Sequence, residues 1–233
     1  MNARRAAWLL LAVLVSVGFA GLGTWQLGRA RWKSEYLDAH ARALDERAVG
    51  FALAATDARL PRRVAGAGRY DDSVTVLLDQ RIRDGRLGID VLTLFRPADG
   101  AAPVLVDRGW RPLPGDRTVT PVEPAGDAST DVAGLLVTPP SSGLALGALA
   151  FERGTAPPLW PRLELAPLEA ALGERLQPAV LLLDDAAPHG YERAWRPLPN
   201  TLPPERHRGY ALQWFALSAT VLVVAALLVF RKR

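Results

Sequence analysis

The sequence predicts an α+β membrane protein, in which two transmembrane helices flank an antiparallel β-rich extracytoplasmic domain. Two long apolar segments lie near the ends of the 233-residue chain, and the residues between them alternate as β-strands do. The first segment has 23 uncharged residues between Arg5 and Arg29, and the second has 22 between Arg208 and Arg231. Because about 20 apolar residues cross a bilayer, we expect both segments to be retained membrane helices.

The charges predict how these helices are oriented. Five of the 28 basic residues lie in two short tails without acid, which leaves 23 basic against 24 acidic residues in the rest of the chain. Basic tails favour the cytoplasm, whereas a nucleic-acid partner would require a basic folded surface. We therefore expect a bacterial plasma (inner) membrane protein with both termini cytoplasmic and no nucleic-acid partner. The predicted parts are a tail at 1–5, a helix at 6–28, a periplasmic domain at 29–208, a helix at 209–230 and a tail at 231–233.

The first helix is predicted to extend beyond the membrane. Residues 30–47 contain good helix formers and neither Gly nor Pro, so the helix should continue through them. Within the span, small residues recur every fourth position, which suits close contact with another helix. These small residues are Ala12, Ser16, Ala20, Thr24 and Gly28.

The central domain is predicted to consist mainly of short strands. Apolar alternation over 74–78 indicates one strand, with Gly66 and Gly68 marking bends or bulges just before it. The pairs Asp84-Gly85 and Asp99-Gly100 indicate turns between strands. Further strands are predicted at 89–95, 104–106, 131–138 and 179–184, and one short helix at 166–176.

The residue types restrict the chemistry. The chain has no cysteine and one methionine, the first residue, which excludes disulfides and a thiolate or thioether metal site. Common catalytic motifs are absent, so we expect no enzymatic activity. His40 is expected to be solvated in a charged helix. His189, which lies near Asp184 and Asp185, is a candidate metal ligand or general base, although a lone histidine in such a loop is more often an ordinary loop residue.

Helical spacing aligns several candidate residues at the membrane boundary. His207, Tyr210 and Trp214 fall on one stripe of the second helix, and Trp25 and Arg29 begin a similar stripe on the first. An imidazole, flat aromatic rings and guanidinium groups are the groups that hold a haem. The same residues are also typical of simple anchors at a membrane interface, and spacing alone does not separate the two interpretations.

Four segments resemble the Surfeit locus protein 1 family in order and spacing. They are "LGTWQLGRARWK" at 22–33, "GRYDDSVTVLLDQR" at 68–81, "GIDVLTLF" with "VLVDRGWRP" at 88–112, and "HRGYALQWFALS" at 207–218. The family consists of assembly factors for haem-copper cytochrome c oxidases. The resemblance covers nearly the whole chain, but Asp107 stands where the family commonly has Asn. The family motifs fall on Trp25, Gln26, Arg29, Arg108, Gly109, Trp110, His207, Tyr210, Ala211 and Trp214.

The resemblance implies that this protein binds haem a and assists its insertion into the catalytic subunit of the oxidase. It implies that His207 is an axial ligand of the haem iron, with Tyr210, Trp214, Trp25 and Arg29 around the cofactor. The expected partners are that catalytic subunit, membrane lipid and a haem a synthase. The alternative is a cofactor-free membrane scaffold that stabilises the nascent oxidase subunit. A third interpretation, a hydrolase that uses His189, is disfavoured because no nucleophile or second metal ligand accompanies it.

Overall fold

A computed structural model describes residues 3–56, 59–140, 147–193 and 202–230 of the chain. The chain divides into two compact units. We call Met1–Ala39 with Asn200–Arg233 the paired helices, and His40–Pro199 the β domain. The predicted tail at 231–233 and the first two residues lie outside the described residues.

Both long helices form where the apolar segments predict them. The described helices are α1 (Ala3–Asp45), α2 (Phe51–Thr56), α3 (Ala166–Leu172) and α4 (Pro204–Phe230). The first and last are long and apolar enough to cross a membrane, with candidate spans at Arg5–Asp45 and Pro204–Val229. The predicted continuation of the first helix is confirmed, because no helix breaker interrupts it before Asp45. The exact membrane boundaries at 6–28 and 209–230 stay predictions.

The strands of the β domain form one closed sheet. The described strands are β1 (Arg62–Arg83), β2 (Arg86–Pro97), β3 (Val104–Pro112), β4 (Thr130–Val137), β5 (Leu159–Trp160) and β6 (Val180–Leu183). Neighbours run in the order β2-β3-β6-β4-β1-β5, and β1 also pairs with β2. The long strand β1 closes the ring, because its first part pairs with β4 and its remainder pairs with β2.

The sheet is mixed, whereas the sequence predicted an antiparallel β-rich domain. Most neighbouring strands are antiparallel, but β6 runs parallel to β3 and β5 runs parallel to β1. The α+β class is confirmed. The parallel pairings join segments far apart in sequence, and β5 has only two residues, so no local pattern could reveal them.

Gly66 and Gly68 lie inside β1 and do not mark bends before it. A Cβ at Gly68 would lie 2.4 Å from both Arg96 O and Phe95 Cζ, so a close backbone approach requires glycine there. The irregularities of β1 come later, at Asp71–Thr75 and Leu78–Arg81. The strand therefore begins earlier than its apolar alternation indicates.

Alternate residues of the central strands are buried on both faces of the sheet. In β3, Leu105 belongs to one apolar cluster while Val104 and Val106 belong to another. The last turns of α1 join the first cluster through Ala43. His40, one turn earlier on the same face, is only 3% exposed, so its predicted solvation is wrong.

Candidate functional site

The candidate site lies between α1 and α4 in the paired helices. Serine hydroxyls join the two helices deep in their apolar parts, where Oγ of Ser16 lies 2.7 Å from Oγ of Ser218. The Ser218 hydroxyl also donates to the carbonyl oxygen of Ser16 at 2.9 Å. Both serines are buried, so these contacts satisfy polar groups that lipid could not. They also fix the register of the two helices.

Aromatic packing continues this contact toward Gln26 and His207. The rings of Phe19 and Trp214 lie 5.5 Å apart between centroids. Gly23 is buried, and a Cβ there would lie only 2.7 Å from the ring of Phe215. A glycine is therefore required where the Phe215 ring crosses the first helix.

The predicted stripe of small residues faces α4 only in part. Ser16 is buried, Ala12 and Ala20 are partly buried, and Thr24 and Gly28 are exposed. A spacing of four residues advances about 40° around a helix at each step, so the stripe rotates away from the contact. The buried line instead continues through Gly23 and Ala30, at intervals of seven residues from Ser16.

His207 lies on the buried line of α4, where the sequence placed its candidate ligand. The residue is 8% exposed. Its Nδ1 lies 2.6 Å from Oε1 of Gln26, while its Nε2 is buried without a hydrogen-bond partner in the part of the chain that the structure describes. A buried imidazole nitrogen without a partner fits the axial ligand of a haem iron, and histidine is a common haem ligand.

The aromatic residues predicted around the cofactor differ from one another in exposure and do not all face the helix contact. Trp214 is partly buried against Phe19, whereas Tyr210 is 38% exposed and Trp25 is 57% exposed. Tyr210 lies outside the helix contact because of its angular position on α4. A residue three positions after His207 is rotated about 60° from it around the helix axis, and a residue four positions after it is rotated about 40° in the opposite direction. That inward position belongs to Ala211, which is 1% exposed.

The first helix presents a row of cation and ring contacts on its exposed side. The guanidinium of Arg29 lies 4.8 Å from the ring centroid of Trp32, and Trp32 stacks on Tyr36 at 5.6 Å. Arg29 and Trp25 are both exposed. The residue that the structure does bring to His207 is Gln26.

Two further contacts join α1 to the start of α4 and to the residues just before it. Lys33 is only 3% exposed, and its Nζ donates to the carbonyl oxygen of Leu202. Nη2 of Arg208 donates to Oγ of Ser34 at 3.2 Å. Sequence patterns did not single out these residues, because each contact joins positions far apart in the chain.

The strand motif "VDRGW" (residues 106–110 of β3) has its Arg and Trp side chains buried in the β domain. Arg108 is 1% exposed, and it donates to the carbonyl oxygens of His189 at 2.7 Å and Glu123 at 2.8 Å. Gly109 has φ +116°, which favours glycine, and Nε1 of Trp110 donates to the Arg81 carbonyl oxygen at 2.8 Å. All three motif residues therefore have structural tasks.

A pair of acids lies beside this motif. Burial raises the pKa of Asp90, against the opposing effect of Arg81 and Arg83. Burial, and then the charge of Asp90, raise the pKa of Asp107 to about 7, while a backbone hydrogen bond from Gly109 opposes the shift. Burial therefore favours the neutral form of Asp107.

Two residues of the hydrolase interpretation, Asp184 and His189, contact arginines of the β domain. Both carboxylate oxygens of Asp184 accept hydrogen bonds from Arg63 at 2.5 Å. His189 is exposed with φ +61°, and it contributes its carbonyl oxygen to Arg108. Across the described ranges, no cluster of three or more His, Cys, Asp or Glu residues suitable for a metal ion is found.

The chain is similar to known proteins over most of its length. The model of the SURF1 family matches residues 13–219, which include both helical motifs and the strand motif. Surfeit locus protein 1 of Takifugu rubripes is 27% identical over 146 residues, 55% of this chain and 60% of the relative. A SURF1-like protein of Dictyostelium discoideum is 29% identical over 121 residues, 47% of this chain and 44% of the relative. The chain thus matches between 44% and 60% of these relatives' length.

Proposed function

Because the chain belongs to the SURF1 family, we propose that it is an assembly factor for a haem-copper cytochrome c oxidase, which holds haem a and assists its insertion into the catalytic subunit. The observation that carries the haem site is the buried Nε2 of His207. An imidazole nitrogen without a protein partner is costly in an apolar setting unless a ligand completes it. A haem iron would supply that partner and bring an electron-transferring, ligand-binding metal to the site.

The residues around His207 support this role in different ways. Trp214 and Tyr210 supply aromatic rings on the same helix as His207, and Trp25 supplies one on α1, with the rings of Tyr210 and Trp25 exposed. Arg29 is an exposed cation of the kind that pairs with haem propionates. Gln26 holds the ligand ring itself through Nδ1.

The membrane setting is part of the same proposal. Two helices of sufficient length and apolarity indicate a membrane protein. We place it in the bacterial plasma (inner) membrane with both termini cytoplasmic and the β domain periplasmic, because the terminal segments are basic and free of acid. Its partners are then the catalytic subunit of the oxidase and a haem a synthase. It performs no reaction of its own.

Co-expression of the full chain with haem a synthesis tests the haem site. We expect the purified protein to show a haem a absorption spectrum, and His207→Ala to lose at least nine-tenths of the haem. The matched control is His189→Ala, which changes an exposed histidine and should retain the haem.

Unchanged haem content in the His207→Ala variant would show that the ligand is a different residue. A colourless wild-type protein that still co-purifies with the oxidase subunit would favour the cofactor-free scaffold. That scaffold would contact the oxidase subunit through its helices and its β surface, so bulky residues at Ala12, Ser16 or Ala20 would weaken its function.

A further inference from the structure

The contact between Gln26 and His207 determines which imidazole nitrogen is free. Oε1 of Gln26 lies 2.6 Å from Nδ1 of His207. An amide carbonyl oxygen only accepts hydrogen bonds, so Nδ1 carries the proton in this contact. In a neutral imidazole the other nitrogen then has the lone pair, and Nε2 is the atom that is buried without a partner among the described residues.

We infer that Gln26 is a positioning residue, which holds His207 in the tautomer protonated on Nδ1 and thereby makes Nε2 the atom that binds a haem iron. The inference rests on the proposed haem-binding function for its metal. The tautomer, however, is a property of the protein without haem. It can therefore be measured whether or not haem binds.

The position of Gln26 is fixed by the helix contact around it. Gln26 lies on α1 between Gly23 and Ala30, and both of those residues are buried. The packing of Phe215 against Gly23 prevents α1 from shifting there, and Lys33, two turns after Gln26, donates to the carbonyl oxygen of Leu202, just before α4. The side-chain amide therefore meets the imidazole in a fixed register.

A hydrogen bond to the second nitrogen of a ligating histidine has known consequences. It fixes the orientation of the ring and increases the electron density on the nitrogen that binds the metal. Residues in this position typically contribute about 10- to 100-fold to metal affinity. A carboxylate at the same position would accept the same proton and donate more electron density than an amide.

The first test measures the tautomer of His207 in the haem-free, full-length protein in lipid nanodiscs. Proton-nitrogen correlation spectra of ¹⁵N-histidine protein, recorded well above the imidazole pKa of about 6.5, distinguish the two tautomers. His207→Ala identifies its signals. We expect a proton on Nδ1 in the wild type and in Gln26→Glu. In Gln26→Leu we expect the proton on Nε2, the tautomer that free histidine prefers.

The second test measures haem a affinity and reduction potential in the same variants. Gln26→Leu should bind haem a about 10- to 100-fold more weakly. Gln26→Glu should retain binding and lower the reduction potential of the bound haem. The matched control is Gln213→Leu, the same change at an exposed position of α4, which should alter neither property.

A wild-type protein protonated on Nε2, or a tautomer that Gln26→Leu leaves unchanged, would overturn the inference. Either result would leave the haem proposal standing if His207→Ala still loses the cofactor. Conversely, a wild type that binds no haem but shows the Nδ1 tautomer would refute only the haem proposal. If Gln26→Leu fails to fold, as seen by lost helical circular dichroism, the spectra of the wild type and Gln26→Glu are the test. A proton on Nδ1 in both supports the inference, and a proton on Nε2 in either overturns it.

Discussion

The strand motif and the first-helix motif both contain an arginine and a tryptophan, which are buried in the strand motif and exposed in the helix motif. In β3, Arg108 and Trp110 are each 1% exposed and are bonded within the β domain. In α1, Trp25 is 57% exposed and Arg29 is also exposed, while the neutral Gln26 faces the other helix. The strand motif thus supports the fold, whereas the helix motif presents groups that are available to a ligand.

A residue can thus belong to a family motif because it stabilises the fold or because it is available to a ligand. Each of the three guanidinium nitrogens of Arg108 donates within the β domain, because Nη1 also reaches Oγ1 of Thr93 at 3.4 Å. His207 keeps one nitrogen without a partner among the described residues. The comparison predicts that mutations in the strand motif change stability and that mutations in the helical motifs change haem content.

Replacement of Arg108 should have the largest effect on stability. Arg108→Met removes the hydrogen bonds to the carbonyl oxygens of His189 and Glu123. We expect a loss of about 3–5 kcal/mol in the free energy of unfolding, because a hydrogen bond from a charged donor contributes about 1.5–3 kcal/mol and two are lost. Chemical denaturation of the full-length protein, followed by its β-sheet circular dichroism, measures this loss.

The control is Arg69→Met, an exposed arginine of β1, which should change stability by about 0.5 kcal/mol or less. An Arg108→Met variant that is as stable as the wild type but lacks haem would contradict the comparison. It would assign the strand motif to the cofactor site.

Asp107 should make the β domain less stable as the pH rises. Its pKa is about 7 in the folded protein, against an ordinary value of 3.8, so the folded state binds the proton more tightly between these values. This contribution to stability is complete below about pH 4, falls as the pH rises through 7, and is absent above it. The groups that act on Asp107 are Asp90, Arg81, Arg83 and the backbone N–H of Gly109.

Asp107→Asn keeps the shape but removes this titration. We expect the variant to match the wild type near pH 4 and to exceed it by about 2–4 kcal/mol above pH 7. Unfolding curves at a series of pH values measure the difference. Parallel pH profiles for the two proteins would show that Asp107 is already ionised in the fold.

Gly23→Val should affect the paired helices. The new side chain would overlap the ring of Phe215, and such overpacking costs about 1–3 kcal/mol. Because the helix contact positions His207, we expect weaker haem binding with unchanged unfolding of the β domain. Gly18→Val is the matched control, since a Cβ at Gly18 meets nothing within 4 Å. Equal haem loss in both variants would show that the Phe215 contact does not position the ligand.

The parts of the fold that were predicted correctly depend on local sequence. The strand at 89–95 was visible because its apolar run is bounded by turn residues, and α1 was visible because its apolar segment is long. The pairing of β5 with β1 was not, because two residues contain no periodicity. The requirement for glycine at position 68 was also not predictable, because it depends on Phe95 and Arg96 of the neighbouring strand.

The candidate site shows the same limit. The family resemblance implied His207 as the ligand, and helical spacing placed Tyr210 on the same stripe, but Tyr210 is exposed. Gln26 was assigned only to a motif, since its partner lies 181 positions away. A signal was nevertheless present, because a glutamine within an apolar span is costly unless another polar group meets it.

Tyr70 provides the most sensitive test, because the comparison predicts almost no effect there. The residue lies in β1 and is 4% exposed, and burial raises the pKa of its hydroxyl to about 12. Its ring packs edge-on against Phe95 and faces the guanidinium of Arg108, but its hydroxyl has no hydrogen-bond partner within the described chain. Tyr70→Phe keeps the ring and removes an unsatisfied polar group, so stability should be unchanged or rise by about 0.5 kcal/mol. A loss above about 1 kcal/mol in the same denaturation experiment would show that the hydroxyl has a partner, such as a buried water. In that case a buried polar group without a protein partner would not by itself indicate a ligand, and the assignment of His207 would depend on its haem spectrum alone.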